Sequence, residues 1–334
     1  KGQESAIFIQ QADGSFTSPD LPFFKRDINT EDVDAAIFDA DGDGDNDIYI
    51  VRGGNDVSIG TPLLDDKLLI NNGQGVLREC EKGSLPYTAN NGSCVRPCDF
   101  DNDGDTDLFV GSRSIPGAYG LSPNQLLLEN DGKGRFTDVT DTRMKRLKKM
   151  GMITDASWID YDNDGDHDLL AAGEWTKVFV LKNDEGFFTD ATRAAGLEET
   201  SGWWSALCSA DIDGDGDPDI VGGNLGLNTK LKASIKEPVE MYINDFDNNG
   251  ILDHIICTYR EGISYPVAYL DDMIGQMPFL AKKYPEYSDF AGQTAKDIFG
   301  LKTIKRSIQL SVVMSGSCIF VNEGNGTFKI VSLP

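Results

Sequence analysis

Apolar residues in this chain fall in short, nearly unbroken runs between polar, glycine-bearing turns. Ile48-Tyr-Ile-Val51, Leu108-Phe-Val110 and Ile220-Val221 are too short for helices and rich in strand formers, as expected of strands covered on both faces. A second element recurs in phase with them. Leu68-Leu-Ile-Asn71-Asn-Gly-Gln-Gly-Val-Leu77 matches Leu126-Leu-Leu-Glu-Asn130-Asp-Gly-Lys-Gly-Arg-Phe136 and Ile319-Phe-Val-Asn322-Glu-Gly-Asn-Gly-Thr-Phe328. Val178–Phe188 is one residue shorter, and Ile7–Phe16 is a degenerate copy. Each reads as an apolar strand, a tight turn and a more polar strand, a hairpin signature.

One repeat is therefore strand A, an acidic loop, strand B, a variable connection, strand C, a tight turn and strand D. The acidic loops begin at 39, 99, 160, 211 and 245, and the first spacings are 60, 61 and 51 residues. A period of this size predicts a repeat architecture, and four antiparallel strands per repeat predict an all-β fold, a β-propeller. Six or seven blades are expected, in a ring that is incomplete or closes unusually, because the N-terminal hairpin has no A and B strands of its own. The expected organisation is a single domain over 1–334. It comprises a hairpin at 5–19, repeats at 33–80, 94–140, 155–192 and 205–259, and a last repeat at 262–334. Helical spacing at 271–299, in Met273–Tyr284 and Asp289–Phe299, predicts a helical insertion packed outside a blade.

Charge sharpens this picture. The chain carries 55 Asp+Glu against 30 Lys+Arg, a formal net charge of −25. Four loops each place aspartates at positions 1, 3, 5, 7 and 9. They are Asp39, Asp41, Asp43, Asp45 and Asp47; Asp99, Asp101, Asp103, Asp105 and Asp107; Asp160, Asp162, Asp164, Asp166 and Asp168; and Asp211, Asp213, Asp215, Asp217 and Asp219. A fifth, weaker loop has Asp245, Asp247, Asn249, Ile251 and Asp253. Loops this acidic repel themselves unless they bind cations. Carboxylates at 1, 3, 5 and 9, a Gly at 6 and a backbone carbonyl from position 7 form an all-oxygen cage suited to Ca²⁺. About five structural Ca²⁺ ions are expected, the fifth loop the weakest, with both A–B and C–D turns on one face. An EF-hand would need a Glu at position 12, where Ile50, Val110, Ala171, Gly222 and Ile256 stand.

The Asp-x-Asp-x-Asp-Gly-x-x-Asp loops between strands resemble the FG-GAP/VCBS repeat proteins, the group that includes the propeller of integrin α-subunits. Gly202-Trp-Trp204, Gly223-Asn-Leu-Gly-Leu-Asn-Thr229 and Tyr265-Pro266 are similar to a bacterial surface subgroup of it. The resemblance implies fold and metal loops. It does not extend to the integrin partner, since the Phe-Gly…Gly-Ala-Pro string is absent.

Other function classes are narrowed by composition. An anionic chain is a poor nucleic-acid or anionic-membrane binder, and no apolar run is long enough for a membrane span. Both histidines are tied to acidic loops, His167 at position 8 of the third and His254 just after the fifth, leaving no Ser–His–Asp, Cys–His or zinc pattern. The basic run Arg143, Lys145, Arg146, Lys148 and Lys149 reads as a solvated connection. Cys257 and Cys318 read as buried thiols, Cys94 and Cys98 stand about 13 Å apart along a strand, and a Cys80–Cys94 bridge stays open.

The expected function is a calcium-stabilised binding or adhesion module for protein or glycan. Its place is extracellular, on a bacterial surface or in the periplasm, as part of a longer chain. A polysaccharide lyase or hydrolase and a structural spacer are the competing classes. Strand order puts the variable connections on the face opposite the calcium loops. There they carry Arg52, Asn55, Arg113, Tyr119, Glu174, Trp175, Trp203, Trp204, Asn224 and Asn228 as ligand-binding candidates. Trp203 and Trp204 are equally suited to wedging between blades.

Overall fold

The computed structural model describes residues 2–58 and 60–333. A two-stranded hairpin of β1 (Ile9–Gln10) and β2 (Phe16–Thr17) precedes a series of four-stranded antiparallel sheets. The first blade runs β3 (Glu31–Phe38), β4 (Asp47–Gly53), β5 (Lys67–Asn71) and β6 (Leu77–Glu79). The second runs β7 (Gly92–Cys98), β8 (Asp107–Ser112), β9 (Leu126–Asn130) and β10 (Phe136–Asp138). The third runs β11 (Met152–Ile159), β12 (Asp168–Thr176), β13 (Phe179–Asp184) and β14 (Phe187–Asp190), with β15 (Gly202–Trp203) paired to the far end of β12.

Blade four begins with β16 (Ala206–Ala210) and β17 (Asp219–Gly223), and the chain then leaves it to build another sheet. That sheet holds β18 (Val239–Asn244), β19 (Asp253–Arg260), β20 (Ile263–Pro266) and β21 (Ile308–Val312), ordered β20-β19-β18-β21. Only afterwards do β22 (Cys318–Asn322) and β23 (Phe328–Ser332) complete blade four against β17. The repeat expected at 205–259 is thus two half-units. The hairpin at 319–328 belongs with strands A and B of loop four, and residues 239–312 form a module inserted between strands B and C.

Innermost strands pack in succession, β3 on β7, β7 on β11 and β11 on β16, while among the described residues no such packing joins β16 back to β3. The architecture is therefore an open arc of four blades plus an inserted sheet, fewer radial blades than the six or seven expected. Three apolar cores fill the gaps between consecutive blades. Tyr49, Leu68 and Phe38 meet Leu108 and Phe136; Phe100, Phe109 and Leu127 meet Leu169 and Phe188; Leu170, Val178 and Tyr161 meet Trp204, Phe320 and Phe328. Both faces of the middle blades are covered, which is why their B strands read as continuous apolar runs.

The helices Leu270–Gln276, Leu280–Lys283, Tyr287–Phe290, Ala295–Phe299 and Leu301–Arg306 lie on the inserted sheet, not on a blade. Met273, Met277, Leu280 and Ile298 cover Tyr242, Ile255 and Cys257 on one side of that sheet. Its other side, through Val239, Met241, Ile243 and Val312, packs on Met152 and Trp175 of blade three. All six cysteines are free, so the Cys80–Cys94 bridge is not formed.

Candidate metal loops and a cavity at the opposite ends of the strands

Every acidic loop follows the same backbone plan. Positions 4 and 6 both take left-handed φ, +75° at Gly42 and +91° at Gly44, +61° at Asn102 and +95° at Gly104. Only Gly, or Asn at a cost, enters this region readily, which accounts for Gly or Asn at position 4 and Gly at position 6 in all five copies. The turn curls the chain around the first aspartate: Gly42 and Gly44 donate to the two Asp39 carboxylate oxygens at 2.8 and 2.9 Å. At position 9, Asp47 accepts from the N–H groups of Ala40 (2.8 Å) and Asn71 (2.7 Å), tying loop, strand B and strand C together. Asp107, Asp168 and Asp219 repeat both bonds.

These turns bring carboxylate oxygens within 4.8 Å of one another in all five loops. The sets are Asp39, Asp41 and Asp43; Asp99, Asp101 and Asp107; Asp160, Asp162 and Asp168; Asp211, Asp213 and Asp219; and Asp245, Asp247 and Asp253. One buried oxygen each of Asp41, Asp101 and Asp162, all at position 3, has no hydrogen-bond partner. Burial, reinforced by the neighbouring carboxylates, pushes Asp107 and Asp168 up to about 7 despite their backbone hydrogen bonds. Crowded hard oxygens, some unpaired, fit a cation such as Ca²⁺. Position 7 is engaged elsewhere in two loops. Asp166 accepts from Asn102 at 2.9 Å and Asp217 from Asn163 at 2.8 Å, each the position-4 residue of the preceding loop. In loop three Lys182 also reaches the cluster, pairing with Asp162 and, at 2.9 Å, with Asp164.

Consecutive blades are stitched together at these loops. Asn130 donates its side-chain amide to the Ala40 carbonyl (2.9 Å), Asn183 to Phe100 (2.7 Å) and Asn322 to Tyr161 (3.0 Å). Each asparagine is the last or next-to-last residue of a strand C, and each carbonyl is position 2 of the preceding blade's loop. The fifth loop departs from the expected common face. It lies in the inserted sheet, and its neighbour His254 bonds through Nε2 to the Tyr119 carbonyl at 2.7 Å, with their rings 5.8 Å apart. Tyr119 belongs to the B–C connection of blade two, at the strand ends away from loops one to four.

At those far ends lies a cavity of about 730 Å³. Asn55, Arg113, Tyr119, Glu174, Trp175, Trp203, Trp204 and Asn224 all contribute to its lining, and Asn228 does not. Glu174 organises one wall: Arg113 pairs with one oxygen, the Tyr119 hydroxyl donates to the other at 2.6 Å, and the Trp175 indole N–H donates to that hydroxyl at 3.1 Å. Burial and the adjacent Glu174 raise the Tyr119 hydroxyl, so it remains a donor. Trp175 stands edge-on to Trp203, centroids 4.9 Å apart, and its backbone is held at φ +58°, a strained conformation for a bulky residue. Asn224 accepts from the Trp203 N–H at 3.0 Å and donates to the Met314 carbonyl at 3.1 Å. Trp204 is 1% exposed, wedged between blades three and four with its indole N–H on the Thr200 carbonyl at 2.9 Å.

Arg52 is placed differently. Its guanidinium is buried against Asp27 (2.6 Å) and Asp32 (3.3 Å) and does not line the cavity. Other lining groups come from the starts of A strands, including Glu31, Asn91, Thr154 and Ser205, and Leu231 and Ile256 add an apolar wall from the inserted module. Their signal in the sequence was weak: they sit within the first residues of each strand A or just before it, and a residue there points inward or outward with its register.

The FG-GAP-like repeat family model matches residues 39–110 and 160–222. No curated protein matches the chain. Among solved structures, the chain is similar to an Agrocybe aegerita lectin described as recognising non-reducing terminal N-acetylglucosamine. The TM-score is 0.36 with 17% identity over 91% of this chain and 80% of that one. It is also similar to the Bacillus licheniformis rhamnogalacturonan lyase PL11, at TM-score 0.35 and 17% identity over 76% of this chain. The match covers 49% of that lyase, so this chain spans about half its length. A third is BBS1N in complex with ARL6ΔN, at TM-score 0.34 and 10% identity, covering 70% and 67% of the two chains.

Proposed function

We propose that this chain, a β-propeller arc carrying FG-GAP-like repeats, is a calcium-stabilised extracellular binding module that holds a neutral glycan in the cavity opposite loops one to four. The observation that carries the reading is the pairing of Trp175 and Trp203 beside the Arg113–Glu174–Tyr119 hydrogen-bond set in one enclosure. Trp203, half-buried, offers an aromatic face to sugar C–H surfaces while the buried Trp175 backs it, and fixed amides and hydroxyls at Asn91, Asn224 and Thr154 match hydroxyl-rich ligands. Glu174 is neutralised by Arg113, Glu31 adds a second carboxylate, and the chain carries −25, so acidic glycans are disfavoured.

Calcium in the loops would neutralise the clustered carboxylates and fasten strands A, B and C of each blade. Asp41, Asp101 and Asp162 supply free oxygens for it. Loops of this openness suit millimolar calcium, which supports an extracellular, bacterial-surface or periplasmic setting. Among the described residues no helix is long and apolar enough to cross a membrane.

A glycan array followed by calorimetry on Trp203→Ala tests the reading. Expected is at least a tenfold loss of affinity for the wild-type ligand with calcium binding and melting temperature unchanged. Unaltered affinity, or release of reducing ends or unsaturated sugars by the wild-type chain, would overturn it.

A further inference from the structure

A second cavity, of about 700 Å³, lies in the inserted module, between the end of its edge strand β20 and the helices that follow. The family match stops at residue 222, so this module stands outside the matched repeats. Four aromatic rings line the cavity, those of Tyr265, Tyr269, Tyr287 and Phe290, together with the carboxylates of Asp271 and Asp272. None of these residues lines the cavity that holds Trp203. Tyr269 is 76% exposed and Tyr287 65%. Large rings left uncovered around one hollow mark a binding surface.

Two of the rings are anchored. Tyr287 donates its hydroxyl to Asp271 at 2.7 Å, and Phe290 stands edge-on to the buried Tyr284 with centroids 5.4 Å apart. That hydrogen bond and the charge of Asp271 raise the Tyr287 hydroxyl, so it stays a neutral phenol. Asp272 is exposed and has no hydrogen bond or ion pair among the described residues. Among those residues Arg260 is the one basic group on the lining, so the walls carry two negative charges against one positive.

We infer that this cavity binds a small organic cation, an alkylated ammonium ion of the choline type. The faces of tyrosine and phenylalanine rings are the negative side of the ring quadrupole, and they attract a cation whose charge is spread over methyl groups. Such an ion gives up less hydration than a metal ion, which would exchange its waters here for two carboxylates and aromatic carbon. An anion is repelled by Asp271, Asp272 and a net charge of −25. A neutral sugar gains from the rings but makes no use of the carboxylates. Arg260 offers a partner to one acidic group on the same ligand, which admits phosphate esters of choline.

The probes are choline, phosphocholine and the neutral isostere of choline in which a tert-butyl group replaces the trimethylammonium. Each is titrated against the chain in calcium by calorimetry, and the methyl proton signal of choline is followed by NMR. Expected are saturable binding of choline or phosphocholine, an upfield ring-current shift of the methyl signal, and at least tenfold weaker binding of the isostere. Tyr269→Ala and Tyr287→Ala should each weaken binding about three- to thirtyfold, the range for one ring facing a cation. Asp272→Asn should weaken it and flatten its salt dependence. All three side chains are exposed, so melting temperatures should stay near wild type. Tighter binding of phosphocholine than of choline, lost in Arg260→Ala, assigns the ester, and equal binding assigns the free cation. Absence of saturable binding of either cation up to about 10 mM, equal affinity for the isostere, or choline binding unchanged in all three variants overturns the inference.

Discussion

Replacing Asn183 by Ala tests whether strand C asparagines hold the arc together. Asn183 is fully buried. Its amide donates to the Phe100 carbonyl of blade two at 2.7 Å and the His167 carbonyl at 3.0 Å, and its oxygen accepts from Gly186 at 2.8 Å. Truncation strands two carbonyls and one N–H, where each lost bond costs about 1 kcal/mol and a buried group left unpaired about 1–3. The sum is about 3–5 kcal/mol, a fall in melting temperature on the order of 5–10 °C. Asn71 is the internal control. It ends the equivalent strand of blade one, but its amide reaches only the Asn46 carbonyl of its own loop, at 3.2 Å and partly exposed. Asn71→Ala should cost about 1 kcal/mol or less. Thermal unfolding of both variants in calcium, followed by near-ultraviolet dichroism, gives the comparison. Calcium titration of Asn183→Ala should also show a weakened loop 99–107, whose position-2 carbonyl loses its anchor. If Asn183→Ala loses no more stability than Asn71→Ala, the stitching argument fails.

Three further expectations follow from the same geometry. Chelation should lower the melting temperature, because an ion held only by the native state stabilises it by mass action, and calorimetry with and without EDTA checks this. Burial pushes the Asp66 carboxyl up to about 7, against hydrogen bonds from the Arg52 N–H, the Tyr49 hydroxyl and Thr88. Its folded value lies above the unfolded one, so the native chain holds a proton that the unfolded chain releases between about pH 4 and 7, and stability falls as pH rises through that window. Asp66→Asn, neutral throughout, should lack this component, worth about 3 kcal/mol between pH 5 and 8, in urea unfolding compared at those two values. Arg52→Ala should destabilise by about 2–3 kcal/mol in the same assay, since it takes a charged hydrogen-bond donor from Asp32 and from Asp27, which keeps Lys67, while cavity binding is unaffected.

What could be read from the chain tracked how local the interaction was. Loop and hairpin were legible because Asp39-Ala-Asp41-Gly-Asp43-Gly and Asn130-Asp-Gly-Lys-Gly-Arg-Phe136 encode their turns within a few residues. The recurrence of Asn71, Asn130, Asn183 and Asn322 at one phase was visible. Its meaning was not, since Asn130 acts on Ala40 in another repeat. Strand order gave the cavity face and eight of its lining residues, Asn55 among them, but neither Asn228 nor Arg52, whose partners Asp27 and Asp32 are fixed by packing of the N-terminal segment. Adjacent residues on an extended chain face opposite ways, so Trp203 and Trp204 could not be told apart before the register was known. The split of blade four was hidden for a related reason. The spacing of 51 and the isolated hairpin at 319–328 hinted at it, yet β17–β22 pairing is set by tertiary fit rather than by neighbouring sequence.

That split bears on the order in which the molecule assembles. In blade one strands B and C are separated only by residues 54–66, whereas in blade four residues 224–317 intervene. Bringing the ends of a loop roughly sevenfold longer together costs about 1.5–2 kcal/mol more in chain entropy if the intervening stretch is unstructured. A prefolded module shortens the effective loop, so the inserted sheet and its helices act as a clasp that must form before blade four can zip up. Nascent chains would then carry three finished blades while β16 and β17 wait, with the face of blade three that buries Trp204 still wet. Refolding should show a late phase confined to Trp204, and a nick in the exposed 224–237 connection, made before folding, should abolish that phase alone.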